Sequence, residues 1–358
     1  MKKIFLILTL FIFSCDEAEV DCKGVLGGTA IEDDCGLCDG DNSTCIGCDD
    51  LNACNYLPNP LIEVSCEYPE PGYTCNSSCE VGYSKYPDFW NGNYTNSICY
   101  NNSDISFLQS LINNSSETLL VDKLDWYNNN NIVEWYEIGY QEWEDSRLTY
   151  FSTNFTPNPS TNTISYNAQL SNSIPNIDGS LEKIITLDLG GPKDANLDGL
   201  EGSIPEKIYN LPNLEILYLN RNSLSGGIES SISNLSKLKE LWISNNNFSG
   251  NIPDELWSLD SLYGLWLDHN DFNGAINSLI GEAVNLRHLL INNNNFSGII
   301  SQEICDLSLP YSNLDYTYIW VEEGEPWKIF NISGNKFCPP FPDCIENHVG
   351  TQDDSNCP

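Results

Sequence analysis

Between Leu214 and Ile300 the apolar positions recur at a fixed step. Leu214, Leu238, Leu262 and Leu286 stand 24 residues apart. Leu217, Leu241, Leu265 and Leu289 keep the same step, as do Leu219, Ile243, Leu267 and Ile291. Asn222, Asn246, Asn270 and Asn294 follow, then Leu224, Phe248, Phe272 and Phe296, then Ile228, Ile252, Ile276 and Ile300. A period in the twenties, held at several positions together, predicts a solenoid, because no single unit buries its own apolar face and each must stack on its neighbours. The alternation at Leu217 and Leu219 places both side chains on one face of a short strand. The asparagine has no apolar role. Its amide suits the backbone groups of the turn after the strand, and stacked turns would repeat such bonds as a ladder.

The unit reads L-x-x-L-x-L-x-x-N-x-(L/F)-x-G-x-I and resembles the leucine-rich repeat. The 24-residue step and Gly250 to Pro253 (Gly-x-Ile-Pro) are similar to the plant-type subclass. The resemblance implies an α/β solenoid with one short parallel strand per repeat, a mostly irregular or 3-10 convex side, and protein or peptide ligands. Degenerate units flank the regular ones. Leu148 and Phe151 fit a strand start, with Leu170 and Ile174-Pro175 on the far side and an insertion near Pro157 and Pro159. Ile184, Leu187, Leu189, Leu200 and Ile204 form the next unit, lengthened around Gly190 to Ala195. After Ile300 the spacing stretches through Cys305 to Trp327, and Phe330, Ile332, Asn335 and Phe337 close a final unit.

Upstream, Ile105, Leu108, Leu111 and Ile112 follow helical spacing. A segment rich in rings comes next: Trp126, Tyr127, Trp135, Tyr136, Tyr140 and Trp143. It is expected to form the lid that covers the open apolar end of the solenoid. Asp34 to Cys45 resembles the C-G-x-C-x-G-D-x-S-x-C segment of ADAMTS-type regions and marine bacterial surface proteins. Gly47 to Tyr68 resembles a G-C-x-x-x-x-A-C-N-Y…S-C-x-Y repeat of secreted Bacteroidota proteins. Both are expected to be stapled by disulfides, since little apolar material is available for a core. Cys35-x-x-Cys38 and Cys45-x-x-Cys48 stand too close together for a zinc ribbon. Asp39, Asp41 and Asn42 offer hard oxygen donors to Ca²⁺ on a glycine-containing turn, but no complete EF-hand loop is present, so a solvated acidic turn is expected and no cofactor is required.

At the N-terminus, Met1-Lys2-Lys3 is a basic start and Ile4 to Phe13 an apolar stretch too short to span a bilayer. With Ser14-Cys15 it resembles a bacterial lipoprotein signal, which implies lipid on Cys15. Of 15 cysteines, removing Cys15 leaves an even number for pairing. The acidic run after Cys15 is similar to the surface-export signals of Bacteroidota lipoproteins. The expected location is thus the outer membrane or cell surface, held by a lipid anchor alone. The divisions are a signal peptide over 1–15, a linker and cysteine-rich module over 16–48, a second cysteine-rich segment over 49–100, a cap with a degenerate first repeat over 101–180, leucine-rich repeats over 181–337 and a disulfide-bearing end over 338–358. Cys305, Cys338, Cys344 and Cys357 allow three pairings.

Net charge is −36, from 51 acidic and 15 basic residues. That excludes the basic footprint nucleic-acid binding requires. The chain carries no G-x-S-x-G, H-E-x-x-H, Walker or dinucleotide fingerprint, and no enzyme activity is expected. Candidate chemistry lies on the outward strand positions. Between the two strand leucines stand Asp188, Tyr218, Trp242, Trp266, Leu290 and Asn331. Strands about 4.8 Å apart would set Tyr218, Trp242 and Trp266 in one row, which suits an extended peptide or a sugar ring. Arg221, Asp268, His269, Arg287 and His288 flank it, and His269 and His288 are expected to lie close together in adjacent units. The expected function is a surface recognition or adhesion scaffold, with a carbohydrate-binding accessory of a polysaccharide-uptake system as the second reading.

Overall fold

The computed structural model describes residues 19–40, 46–58, 60–88, 93–115, 119, 133, 135–136, 138–153, 169–177, 179–192, 199–311 and 330–357. Cys15 and its signal, Asp41, Trp126, Tyr127, the insertion at Pro157 and Pro159, and Trp327 lie outside them. The chain divides into two compact units, 1–78 and 79–358.

The first unit is built from turns and cross-links. Its only regular pairing among the described residues is strand β1 (Ile46–Gly47) alongside β2 (Ile62–Glu63). Disulfides Cys22–Cys38, Cys48–Cys66 and Cys54–Cys75 staple it, as expected where large apolar side chains stay exposed. One turn occurs twice. The Asp21 carboxylate accepts from the amides of Lys23 and Val25 at 3.0 and 2.8 Å, and the Asp33 carboxylate accepts from Cys35 and Leu37 at 2.9 and 2.8 Å. Asp39, a candidate Ca²⁺ ligand, is ion-paired with Lys23.

The second unit opens with a hairpin, β3 (Tyr83–Asp88) and β4 (Asn93–Asn101), bridged by Cys79–Cys99. Helix α1 (Asn102–Asn114) follows, its first amides capped by the Asn101 side chain. Leu108, Leu111 and Ile112 are buried, in line with their helical spacing. Tyr100 packs edge-on to Trp135 and Trp143, with ring centroids 5.2 and 4.9 Å apart. Of the described rings of this segment, Trp135 and Tyr136 are thus buried in the core and Trp143 packs against it. Asp104 joins the helix to the solenoid. Fully buried, it pairs with the Arg147 guanidinium at 2.8 Å and accepts from the amides of Leu148 and Leu181 at 3.0 and 2.7 Å.

Strands β5 (Tyr140–Glu144) and β6 (Arg147–Ser152) form an antiparallel pair that starts the main sheet. The first repeats add β7 (Asn172–Ser173), β8 (Thr186–Asp188) and β9 (Leu200–Gly202). The regular units contribute β10 (Ile216–Tyr218), β11 (Ser223–Gly226), β12 (Glu240–Trp242), β13 (Asn247–Gly250), β14 (Gly264–Trp266), β15 (Asp271–Gly274), β16 (His288–Leu290) and β17 (Asn295–Gly298). The last unit adds β18 (Phe330–Asn331) and β19 (Lys336–Phe337). Even-numbered strands from β6 to β18 run parallel in one sheet, edged by β5, while the odd-numbered strands from β7 to β19 form a second ladder. The repeat pattern predicts one strand per unit, and the structure holds two. The second pairing follows the asparagine turn, where glycines 226, 250, 274 and 298 end each strand with φ between 80 and 88°. Short 3-10 helices such as Ser230–Asn234 and Asp254–Leu256 complete the units, as expected.

Register is strict: Leu217, Leu241 and Leu265 pair in line, and Leu219, Ile243, Leu267 and Ile291 are fully buried. The asparagine ladder forms as the sequence predicts. Asn246 donates to the carbonyls of Leu219 and Ile243 at 2.9 and 3.0 Å and accepts from the Leu224 amide at 2.9 Å. Asn270, Asn294 and Asn335 repeat these bonds one unit later each time. Behind them Phe248, Phe272, Phe296 and Phe337 stack at 6.1 to 6.2 Å. Cysteine pairing at this end is Cys305–Cys344 and Cys338–Cys357. Gln352 finishes the ladder. Its amide donates to the Ile332 carbonyl at 3.0 Å and accepts from the Phe337 amide at 3.3 Å, the positions an asparagine of one more unit would fill.

Candidate ligand-binding face

Two outward columns run across the main sheet. One carries Tyr140, Ser152, Asp188, Tyr218, Trp242, Trp266, Leu290 and Asn331, and the other Glu142, Tyr150, Thr186, Ile216, Glu240, Gly264 and His288. Tyr218, Trp242 and Trp266 are adjacent, with ring centroids 5.5 and 5.9 Å apart. All three are half-buried, so their inner surfaces pack and their outer surfaces meet solvent.

The row is longer than the sequence indicates. His288 lies nearly parallel to Trp266 at 5.4 Å, and Tyr263 meets it edge-on at 4.9 Å. Gly264 makes this possible. A Cβ there would come within 2.2 Å of the Trp266 ring, so the indole occupies the space that a side chain at 264 would take. Side chains at the next outward column hold carboxylates. Tyr218 donates its hydroxyl to Glu240, and Tyr140 donates to Glu142 at 2.9 Å. Burial, reinforced by Glu240, pushes the Tyr218 phenol well above its ordinary pKa, so it stays protonated and donating. An open depression of about 490 Å³ lies beside the row, lined by Ile216, Lys239, Glu240 and Tyr263 among others.

The flanking candidates are placed differently from expectation. His269 and His288 are not neighbours: His288 pairs with Gly264 in register, whereas His269 bonds Asn293, five residues further along. The reason is the period itself, which aligns each residue with the one 24 positions away rather than with a residue 19 away. Asp268 is buried beneath the face. It accepts from the Ser244 hydroxyl and holds His269 Nδ1 at 2.9 Å, a bond that raises the His269 pKa. His288 is buried under the rings, and this burial holds its pKa down to about 4, leaving a neutral imidazole. Leu290 and Asn331 are also buried, so the exposed row ends at Trp266. Arg221 and His269 occupy a left-handed turn position, φ 58° and 55°, which Asn245 and Asn293 fill in the other units. Arg287 turns back to the carbonyls of Val284 and Leu286 at 2.9 and 3.0 Å. Of the sequence candidates, the face therefore unites Tyr218, Trp242, Trp266 and the buried His288. Glu240, Tyr263 and Gly264 join them. The repeat template marks none of these three, though a glycine at an outward strand position beside a tryptophan is a usable signal. Among the described residues no cluster of His, Cys, Asp and Glu has metal-binding geometry.

Residues 212–256 match the family model described as Leucine Rich repeats (2 copies), and residues 285–307 match that described as Leucine Rich Repeat. A comparison with curated proteins finds no match. Among solved structures, the chain is similar to the ectodomain of the Arabidopsis thaliana receptor kinase GASSHO1/SCHENGEN3, crystallised with CASPARIAN STRIP INTEGRITY FACTOR 2. Identity is 28%, over 51% of this chain and 19% of the receptor chain, at a TM-score of 0.41. The ectodomain of the Arabidopsis receptor kinase HAESA, in complex with an IDA peptide hormone, is 27% identical over 51% of this chain and 27% of its own, at 0.41. A plant ice-binding protein is 20% identical over 68% of this chain and 91% of its own, at 0.39. The match thus spans about a quarter of the receptor ectodomains' length.

Proposed function

We propose that this chain is an exported recognition protein, displayed at a cell surface, whose solenoid binds a protein or peptide across the concave face. The observation that carries this reading is the row Tyr218–Trp242–Trp266. The strands beneath it are already paired in a continuous sheet, so a ligand engages side chains rather than adding a strand. Exposed aromatic surface of this kind marks contact sites more often than idle surface. Rigid rings on a rigid sheet also lose little entropy on binding. Disulfides in both units support an oxidising compartment. In this reading a lipid on Cys15 tethers the chain, and the cysteine-rich unit serves as a spacer for adhesion.

The test is affinity capture of surface proteins by the wild-type chain and by a Trp242→Ala/Trp266→Ala double variant. Loss of an identified partner in the variant supports the reading. Equal capture by both removes the site assignment.

A carbohydrate ligand is the second reading, and one observation favours it. The Trp266 ring packs over the bare backbone of Gly264 and keeps part of its surface in solvent, apolar ring surface of the kind on which a sugar stacks. A glycan array with the same double variant separates the two.

A further inference from the structure

The two outward columns carry an uneven set of charges. Their charged side chains are Glu142, Asp188 and Glu240, and neither lysine nor arginine occupies any position in them. Glu240 and Glu142 are each held by a tyrosine hydroxyl, a neutral donor that fixes the carboxylate without cancelling its charge. Glu240 stands directly between Ile216 and Gly264 in register, one column from Trp242, at the centre of the rings. His288, stacked on Trp266, is neutral, and Lys239, at the edge of the neighbouring depression, is ion-paired with Glu215 at 2.6 Å.

We infer that the face selects a cation: the arginine or lysine side chain of an extended peptide, laid over Trp242 and Trp266 with its charge against Glu240. This rests on the concave face being the peptide site and adds the chemistry of the peptide. An aromatic face attracts a cation through its quadrupole, more so where water is partly excluded. A guanidinium brings five donors to a surface whose tyrosine hydroxyls are already committed to carboxylates. The chain's net charge of −36 draws the same class of ligand from a distance. A neutral sugar also stacks on rings and donates hydroxyls to a carboxylate, but it carries no charge for the field to draw.

The experiment titrates the full chain with three acetylated and amidated hexapeptides, alternating glycine with arginine, serine or glutamate, read by tryptophan fluorescence. The arginine peptide is expected to perturb the emission and bind about tenfold more tightly than the serine peptide, with the difference shrinking at high salt. Glu240→Gln, which keeps the shape and the tyrosine hydrogen bond, should weaken the arginine peptide about fivefold and leave the serine peptide unchanged. Glu142→Gln serves as a second variant at the far end of the columns, expected to act less. Equal binding of all three peptides, or of none, overturns the inference, as does an unaltered Glu240→Gln. If the serine or glutamate peptide binds and Trp242→Ala abolishes it, the face remains a peptide site and only the cation preference falls. If glycans bind there and peptides do not, both readings fall.

Discussion

The indole of Trp266 lies across the backbone of Gly264, two residues upstream on the same strand, and stacks on His288 of the next unit. The glycine leaves a slot and the ring fills it. Gly264→Ala is therefore expected to lose about 1–3 kcal/mol rather than gain from reduced chain entropy, because the added methyl and the ring cannot share the space. The variant should also shift tryptophan emission and weaken any ligand of the face. Urea denaturation with fluorescence on the same sample checks both, and a stabilised variant would show that the ring does not depend on the slot.

His288 sets a pH dependence. Buried under Trp266, its folded pKa sits at about 4, below the unfolded value near 6.5. Between those values the unfolded chain takes up a proton that the folded chain refuses. Stability contributed by the neutral imidazole is present above pH 6.5 and is lost as pH falls toward 4. The wild type should lose on the order of 2 kcal/mol more than His288→Gln across that window. Parallel melting curves at stepped pH measure the difference, and identical slopes would show that the ring is accessible to protons.

Asp104 is the joint between cap and coil. Asp104→Ala removes the partner of Arg147 and the acceptor of two buried amides, and should cost about 3–5 kcal/mol. Opening is expected first at α1, so hydrogen exchange should accelerate there while the amides of β12 and β14 remain protected. Uniform acceleration would make the cap and the coil a single cooperative block.

The asparagine ladder was plain in the sequence, because a polar residue recurring among leucines has few uses other than satisfying a turn. So were the strand register, the phenylalanine stack and the capping helix, each fixed by a period. The second ladder of short strands was not legible. Its pairing runs between backbones after the asparagine turn and leaves no alternation of side chains to read. The aromatic row was visible as three rings, but its extension to His288 depends on Gly264, whose meaning is steric and appears only when the neighbouring ring is placed. Asp268 read as a surface acid because its column position looks outward, whereas the turn after the strand carries it inward to Ser244.

Gln352 offers a direct comparison with the ladder it closes. Asn270→Ala leaves buried carbonyls and an amide unsatisfied between two units and should cost about 1–3 kcal/mol. Gln352→Ala strips the same bonds from one side only and should cost less, about 1 kcal/mol, with the loss confined to the last unit. Chemical denaturation gives the totals and exchange at Ile332 and Phe337 gives the location. Equal penalties would mean that the end is as tightly bound as the middle.

Each ladder asparagine bonds to its own unit and to the one before it, and to nothing further away. Such a molecule can change length without redesign. Splicing in a second copy of 239–262 would meet compatible surfaces above and below, move the two ends apart by about 4.8 Å, and insert one more tryptophan and one more carboxylate into the hollow. The reach of the binding surface is thus a ruler graduated in whole coils, and lineages bearing more or fewer of them would differ in how long a ligand they span.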